Sequence, residues 1–110
     1  MGTAALQFKL REVARSGTWT TATAITRIAG IDPATAHADA DLGRVLATID
    51  AAEQAVGRPL LSAVVVQRAS GLPHPGFFTY ARALGLHVGS DDRALWEREL
   101  QRVHSYWSRH

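Results

Sequence analysis

One apolar segment near the middle of the chain, Leu60–Gln67, constrains the fold more than any other feature. Its sequence is Leu-Leu-Ser-Ala-Val-Val-Val-Gln, and the β-branched residues favour a strand. Because polar residues do not alternate with apolar ones, we expect the strand to be buried on both faces, in the centre of a sheet or under helices. A chain of 110 residues has room for one such core, so we expect a single domain over residues 1–110.

Apolar residues at helical spacing account for most of the remaining chain. They predict helices over about residues 3–15, 22–29, 42–56 and 77–84, and a last helix capped by Ser90-Asp91-Asp92. Gly30, Gly57 and Gly85 should end three of them. We therefore expect an α+β, mostly helical fold with four to five helices and a short β element. The residues expected to form one core are Ile25, Ile28, Ile31, Leu42, Leu46, Val64 and Val66.

Composition excludes several classes of protein. The chain has no Cys, which rules out disulfides, thiolate catalysis and Cys-ligated zinc, and favours a cytoplasmic location. The longest apolar run, Ala63–Val66, is far too short to cross a membrane. The N-terminus has no apolar stretch typical of a signal peptide.

No set of residues predicts a metal site, a cofactor site or a catalytic centre. His37, Asp39 and Asp41 would share one side of a strand but diverge by about 200° in a helix. Ser62 lies inside the predicted strand without the Gly-x-Ser-x-Gly context of a nucleophile. The strand carries no carboxylate of the kind that nucleases use. The other histidines are scattered: His74, His87 and His104 are among them.

Residues 21–36, Thr-Ala-Thr-Ala-Ile-Thr-Arg-Ile-Ala-Gly-Ile-Asp-Pro-Ala-Thr-Ala, resemble the helix-turn-helix of lac-repressor-type regulators. That motif has a short helix, Ala-Gly, an aliphatic residue, a cap and then Pro-Ala-Thr. The resemblance implies that Gly30 permits the turn, Ile31 packs between two helices and Asp32 caps the second one. The N-terminus of that second helix would meet a DNA groove.

A longer stretch, from about Thr20 to Phe77, resembles the winged-helix domain of O6-alkylguanine alkyltransferases and alkyltransferase-like proteins. Those proteins have, in order, a Thr-capped helix ending in Ile-Gly, a recognition helix containing Val-Gly, a strand led by Asn-Pro, and Gly-Phe. The counterparts in this chain are residues 20–30, Leu42-Gly43, Arg58-Pro59 with the strand, and Gly76-Phe77.

The departures from that family remove its chemistry. Its Pro-Cys-His-Arg core falls on apolar strand residues and Gln67-Arg68, so no alkyl-accepting thiol exists. The family's helix Tyr falls on Ala22, and its DNA-inserting Arg falls near Ala40, with Arg44 the nearest substitute. The resemblance thus implies a fold without the repair reaction. Motifs such as Pro-Gly-Phe-Phe also resemble small bacterial hypothetical proteins, a likeness that implies no function.

We therefore expect a winged-helix-like module that binds duplex DNA without catalysis. Eleven of the twelve basic side chains are arginine, whose forked guanidinium suits phosphates and base edges, although a GC-rich genome would also favour arginine over lysine. The formal net charge is only +2, so the contact should be local. The residues expected to face the nucleic acid are Arg27, Thr35, His37 and Arg44, with Arg58 and Arg68 as phosphate contacts.

Two other functions stay open at this point. One is a protein-interaction adaptor of a bacterial regulatory or defence system, with a partner bound by Trp96, Tyr106 and Trp107, whose alternative role is core packing. The other is a small hydrolase or nuclease with an unfamiliar site. The turn at residues 73–76 predicts an ordered functional loop around His74 and Gly76, because proline stiffens it and glycine permits close approach. A plain connector is the alternative for that turn.

Overall fold

The computed structural model describes residues 2–85 and 91–110, and the mostly helical α+β architecture expected from the sequence is confirmed there. Within these ranges the helices are α1 Gly2–Arg15, α2 Ala22–Ile25, α3 Ala38–Ala55, α4 Pro75–Ala83 and α5 Asp92–Trp107. The two short strands are β1 Thr20–Thr21 and β2 Val65–Val66. The winged-helix arrangement stays a prediction. His87 and the predicted cap Ser90 lie outside the described residues.

The apolar segment lies at the centre of the molecule, as predicted, but it forms a strand over two residues only. Leu61–Val64 is a turn of 3₁₀ helix, and β2 pairs in parallel with β1. The longer strand was a wrong prediction because helices α1, α3 and α5 surround the 3₁₀ turn, and within residues 2–85 and 91–110 no strand lies beside it to pair with. The buried carboxylate of Asp50 instead accepts the amide hydrogen of Ser62 at 3.0 Å.

The predicted core is confirmed in its main part. Ile28 and Ile31 are only half-buried and pack against its edge, on the irregular segment between α2 and α3. The buried members of the predicted set are Ile25, Leu42, Leu46, Val64 and Val66. Trp96 and Trp107 also lie in the core, and the indole of Trp96 donates to the carbonyl of Ala63 at 2.8 Å. These two rings therefore lack the exposed edge that the partner hypothesis needs.

The segment that resembles a helix-turn-helix folds differently from the expectation. Helix α2 has four residues, followed by hydrogen-bonded turns as far as Gly30, whose φ of 78° is the left-handed cap expected there. The second helix does not begin at Asp32, so that prediction was wrong. Asp32 closes a turn by accepting the amide hydrogen of Ala34 at 2.9 Å, and the next helix begins only at Ala38. Residues 33–37 hold no large apolar side chain that helix formation would bury.

Several helix starts follow the predicted capping chemistry. Thr21 Oγ1 accepts the amide hydrogen of Ala24 at 3.3 Å, and Asp91 Oδ1 accepts that of Ala94 at 3.1 Å. Both satisfy an amide that the first helical turn leaves without a backbone partner. Among the described helices, none combines the length and the apolar character needed to cross a membrane.

Candidate functional site

Three of the residues expected to contact DNA lie close together before and within the first turns of α3, among acidic side chains. His37 Nδ1 lies 3.0 Å from Asp41 Oδ2, and Arg44 forms an ion pair with the same carboxylate. The side chains of His37 and Arg44 are each 73% exposed. Thr35 donates its hydroxyl hydrogen to the carbonyl of Asp32 at 3.1 Å. The positive charge at this end of the helix is therefore largely matched by exposed carboxylate.

The remaining predicted contacts lie elsewhere on the molecule. Arg27 follows α2 and Arg68 follows β2, and both are exposed. Arg58 comes after the C-terminal end of α3 and binds the buried carboxylate of Glu53 at 2.9 Å. Helix α3 separates it from Arg44 by about 16 Å of helix axis, at 1.5 Å per residue from Arg44 to Ala55. The structure thus does not gather all six predicted residues into one site.

The predicted loop at 73–76 has a structural explanation. His74 caps α4: its Nδ1 accepts the amide hydrogen of Gly76 at 3.0 Å, so the Nε2 hydrogen points to the carbonyl of Asp39 at 3.1 Å. The ring is buried and packs on Gly43 of α3, where an added Cβ would come within 2.9 Å of the ring carbon Cε1. An added Cβ on Gly76 would come within 3.2 Å of Nδ1. Both glycines therefore serve the close packing of α4 on α3.

A groove on the outer side of α5 gathers basic side chains that the sequence prediction omitted. It is an open depression of about 490 Å³. Its described lining consists of Gly57, Pro59, Arg98, Gln101, Arg102, Ser105, Tyr106 and Arg109. Three of these are arginines, and none of the described lining residues is acidic. Arg98 and Arg102, at i and i+4, lie on one face of α5, a signal that a helical projection of the sequence would have shown, and Arg109 follows two residues after the helix ends.

Glu99 connects the two walls of the groove from beneath. Its Oε2 accepts the amide hydrogen of Leu60 at 2.9 Å, next to Pro59 on one wall. Its Oε1 accepts a hydrogen from Arg102 Nη1 at 2.5 Å on the other wall. The carboxylate side chain is 4% exposed, whereas that of Arg102 is 52% exposed. The acid is thus hidden while the guanidinium faces the groove and solvent.

A second group of arginines surrounds Trp107 beside this groove. The guanidinium carbons of Arg15, Arg11 and Arg58 lie 5.1, 5.2 and 5.7 Å from the centre of the indole, a cation–π arrangement. Arg11 and Arg58 also bind the fully buried Glu53, at 2.8 and 2.9 Å. Arg58 and Arg102 line one depression that adjoins the groove at Gly57 and Pro59. We call the groove surface, with Arg58 at its edge, the basic face, formed by Arg58, Arg98, Arg102 and Arg109.

A third buried acid, Asp50, supports the 3₁₀ turn behind the groove. Its Oδ2 accepts the hydroxyl hydrogen of Ser62 at 2.5 Å. Burial raises the pKa of Asp50 to about 7, and nearby Glu99 and Glu53 add to the rise, while the hydrogen bonds from Ser62 oppose it. Since Ser62 is 2% exposed, its hydroxyl is closed to a substrate.

The described residues contain no group of three or more His, Asp or Glu side chains placed to hold a metal ion. Comparison with protein-family models, with curated protein sequences and with solved structures gives no match. The functional assignment therefore depends on the chemistry of the basic face.

Proposed function

We propose that this protein binds duplex DNA without catalysis, through phosphate contacts made by the basic face. The observation that supports this proposal is the groove on α5, lined by three arginines and by no described acidic residue. Phosphate contacts by arginine give binding that is independent of sequence.

The length of the groove favours a polymeric ligand over a single anion. From Arg98 to the end of α5 at Trp107 is about 14 Å of helix axis, and Arg109 lines the groove two residues further on. One DNA strand has a phosphate every 3.4 Å of axis, so this part of the groove spans about four nucleotides. Four of the chain's twelve basic side chains belong to the basic face, although the net charge is only +2.

The helix-turn-helix residues are not required for this mode of binding. Arg44 is paired with Asp41, and residues 31–37 form turns instead of a helix that could enter a groove. This makes Arg44 a suitable control, because its removal changes the net charge as much as removal of a groove arginine does. Among the described residues, Arg109 has no ion-pair partner, so its replacement by alanine should leave the fold intact.

The test is a fluorescence titration of a mixed-sequence duplex between about 50 and 200 mM salt. Phosphate contacts by the three arginines that line the groove predict that log K falls with log salt at a slope of about −2.7. Arg109→Ala should reduce the slope to about −1.8 and weaken binding to all sequences alike, whereas Arg44→Ala should leave the slope unchanged. The absence of binding at tens of micromolar wild-type protein would overturn the proposal. Equal effects of the two variants on the slope would show that the DNA contacts lie outside the groove.

A further inference from the structure

We infer that Glu99 is a positioning residue for the DNA contact, an inference that rests on the proposed function. One buried carboxylate holds the guanidinium of Arg102 on one wall of the groove and the backbone of Leu60, next to Pro59 on the other wall. Although Glu99 is negative and the ligand is a polyanion, its net effect on binding is favourable.

Without Glu99, the side chain of Arg102 would have to be ordered when the ligand binds. An exposed arginine samples many rotamers, and ordering it on binding consumes part of the interaction free energy. Glu99 is itself immobilised by burial and by the Leu60 amide, so it fixes Arg102 before any ligand arrives. A planar guanidinium held through Nη1 still presents its other N–H groups outward.

The same carboxylate controls the width of the groove. Residues 57–60 connect α3 to the 3₁₀ turn, and Gly57 and Pro59 form the wall that faces α5. The Leu60 amide donates to Glu99, so this wall and the Arg102 wall share one anchor. Loss of the negative charge weakens both attachments at once, because hydrogen bonds to an ionised acceptor are about twice as strong as neutral ones.

Two isosteric variants separate positioning from charge. Glu99→Gln and Glu97→Gln remove the same negative charge from α5, but the side chain of Glu97 is 61% exposed and lies 4.0 Å from Arg93. Simple electrostatics predicts that both variants bind DNA slightly more tightly. We expect Glu97→Gln to do so by less than about twofold, because salt screens exposed charges. Glu99→Gln should instead bind about threefold or more weakly, within the usual range of coupling between contacting residues.

A double variant tests whether the effect passes through Arg102. Glu99→Gln should add little to the loss caused by Arg102→Ala alone, because the side chain that it positions is already absent. If wild-type protein binds and Glu99→Gln binds as well as Glu97→Gln, the inference is wrong while the proposed function stands. If wild-type protein does not bind, the proposed function fails and the inference fails with it.

A measurement on wild-type protein covers the case in which Glu99→Gln does not fold. The side-chain hydrogens of Arg102 should exchange with water more slowly than those of Arg109 in nuclear magnetic resonance spectra, because of these two side chains Arg102 alone is held by a buried carboxylate. Equal exchange rates for the two side chains would overturn the positioning role.

Discussion

The two ends of α3 carry the same kinds of charged side chain in opposite arrangements. At the N-terminal end, exposed Arg44 pairs with Asp41, whose side chain is 28% exposed. At the C-terminal end, Glu53 is fully buried and holds Arg11 and Arg58, whose side chains still reach solvent. A solvent-facing carboxylate competes with any approaching anion, whereas a buried one fixes its cation and leaves the outer N–H groups available. Under the proposed function, this placement of the acids favours contact with DNA at the C-terminal end of α3.

The largest expected effect concerns Asp50, which shares the acid-rich, buried half of α3. Burial raises its pKa from the ordinary value of 3.8 to about 7, so the folded protein binds this proton more tightly than the unfolded chain does. The stabilisation from Asp50 is therefore complete below about pH 4 and is lost as the pH rises to about 7. At about 1.4 kcal/mol per pKa unit, this change amounts to about 4 kcal/mol.

Asp50→Asn should remove that pH dependence. Between pH 4 and pH 7 the wild type should lose about 4 kcal/mol of unfolding free energy through Asp50, and the variant should not. The difference in unfolding free energy, variant minus wild type, should therefore rise by about that amount when both are measured by urea denaturation. Asp39→Asn is the matched control, because the Asp39 side chain is 71% exposed. Parallel stability curves for Asp50→Asn and wild type would show that Asp50 titrates normally.

The second prediction compares how much the buried acid Glu53 and the partly exposed acid Asp41, at opposite ends of α3, contribute to the free energy of unfolding. Glu53→Gln should reduce the free energy of unfolding by about 2–3 kcal/mol, since it breaks a buried ion pair whose arginines can partly turn to water. Asp41→Asn makes the same chemical change in an exposed pair and should cost less than about 0.5 kcal/mol. Thermal or urea unfolding measures both values. Equal losses of unfolding free energy in the two variants would show that burial of the carboxylate makes no difference between the two ends of α3.

A smaller effect is expected where α4 packs on α3. Glycine-to-alanine substitutions in a helix usually stabilise by about 1 kcal/mol. Gly43→Ala should instead destabilise by about 1–2 kcal/mol, because the new methyl group would lie 2.9 Å from a His74 ring that is bound at both nitrogens. In the His74→Ala background the same substitution should become neutral or stabilising. Urea unfolding of the four proteins gives this coupling, and its absence would mean that the ring moves aside freely.

The sequence could predict the features that depend on residues close by in the chain. Thr21 and Asp91 cap helices, and Gly30 adopts the left-handed conformation, because each depends on residues within four positions. The burial of Val64 and Val66 follows from their side chains alone. The extent of the strand did not follow, since three helices that are distant in sequence meet around Leu61–Val64.

Part of the candidate site could be predicted from the sequence. The alignment of Arg98 and Arg102 can be predicted once α5 is assumed to be helical, and Arg109 follows soon after the helix ends. Its opposite wall comes from Gly57 and Pro59, about forty residues earlier, and only the tertiary fold brings the two walls together. The helix-turn-helix resemblance drew attention to Arg27 and Arg44 instead, because local similarity does not report which acids lie beside a basic residue.

The position of the 3₁₀ turn has a consequence for folding kinetics. Leu61–Val64 contacts α1, which precedes it by about 46 residues, and α5, which follows it by about 28 residues. Two long loops must close around one short segment, and loop closure of this kind slows folding relative to a bundle of consecutive helices. During synthesis, the apolar face of α1 is not fully covered until α5 has left the ribosome. Folding should therefore occur late and in one cooperative step, with α5 as the element that completes the core.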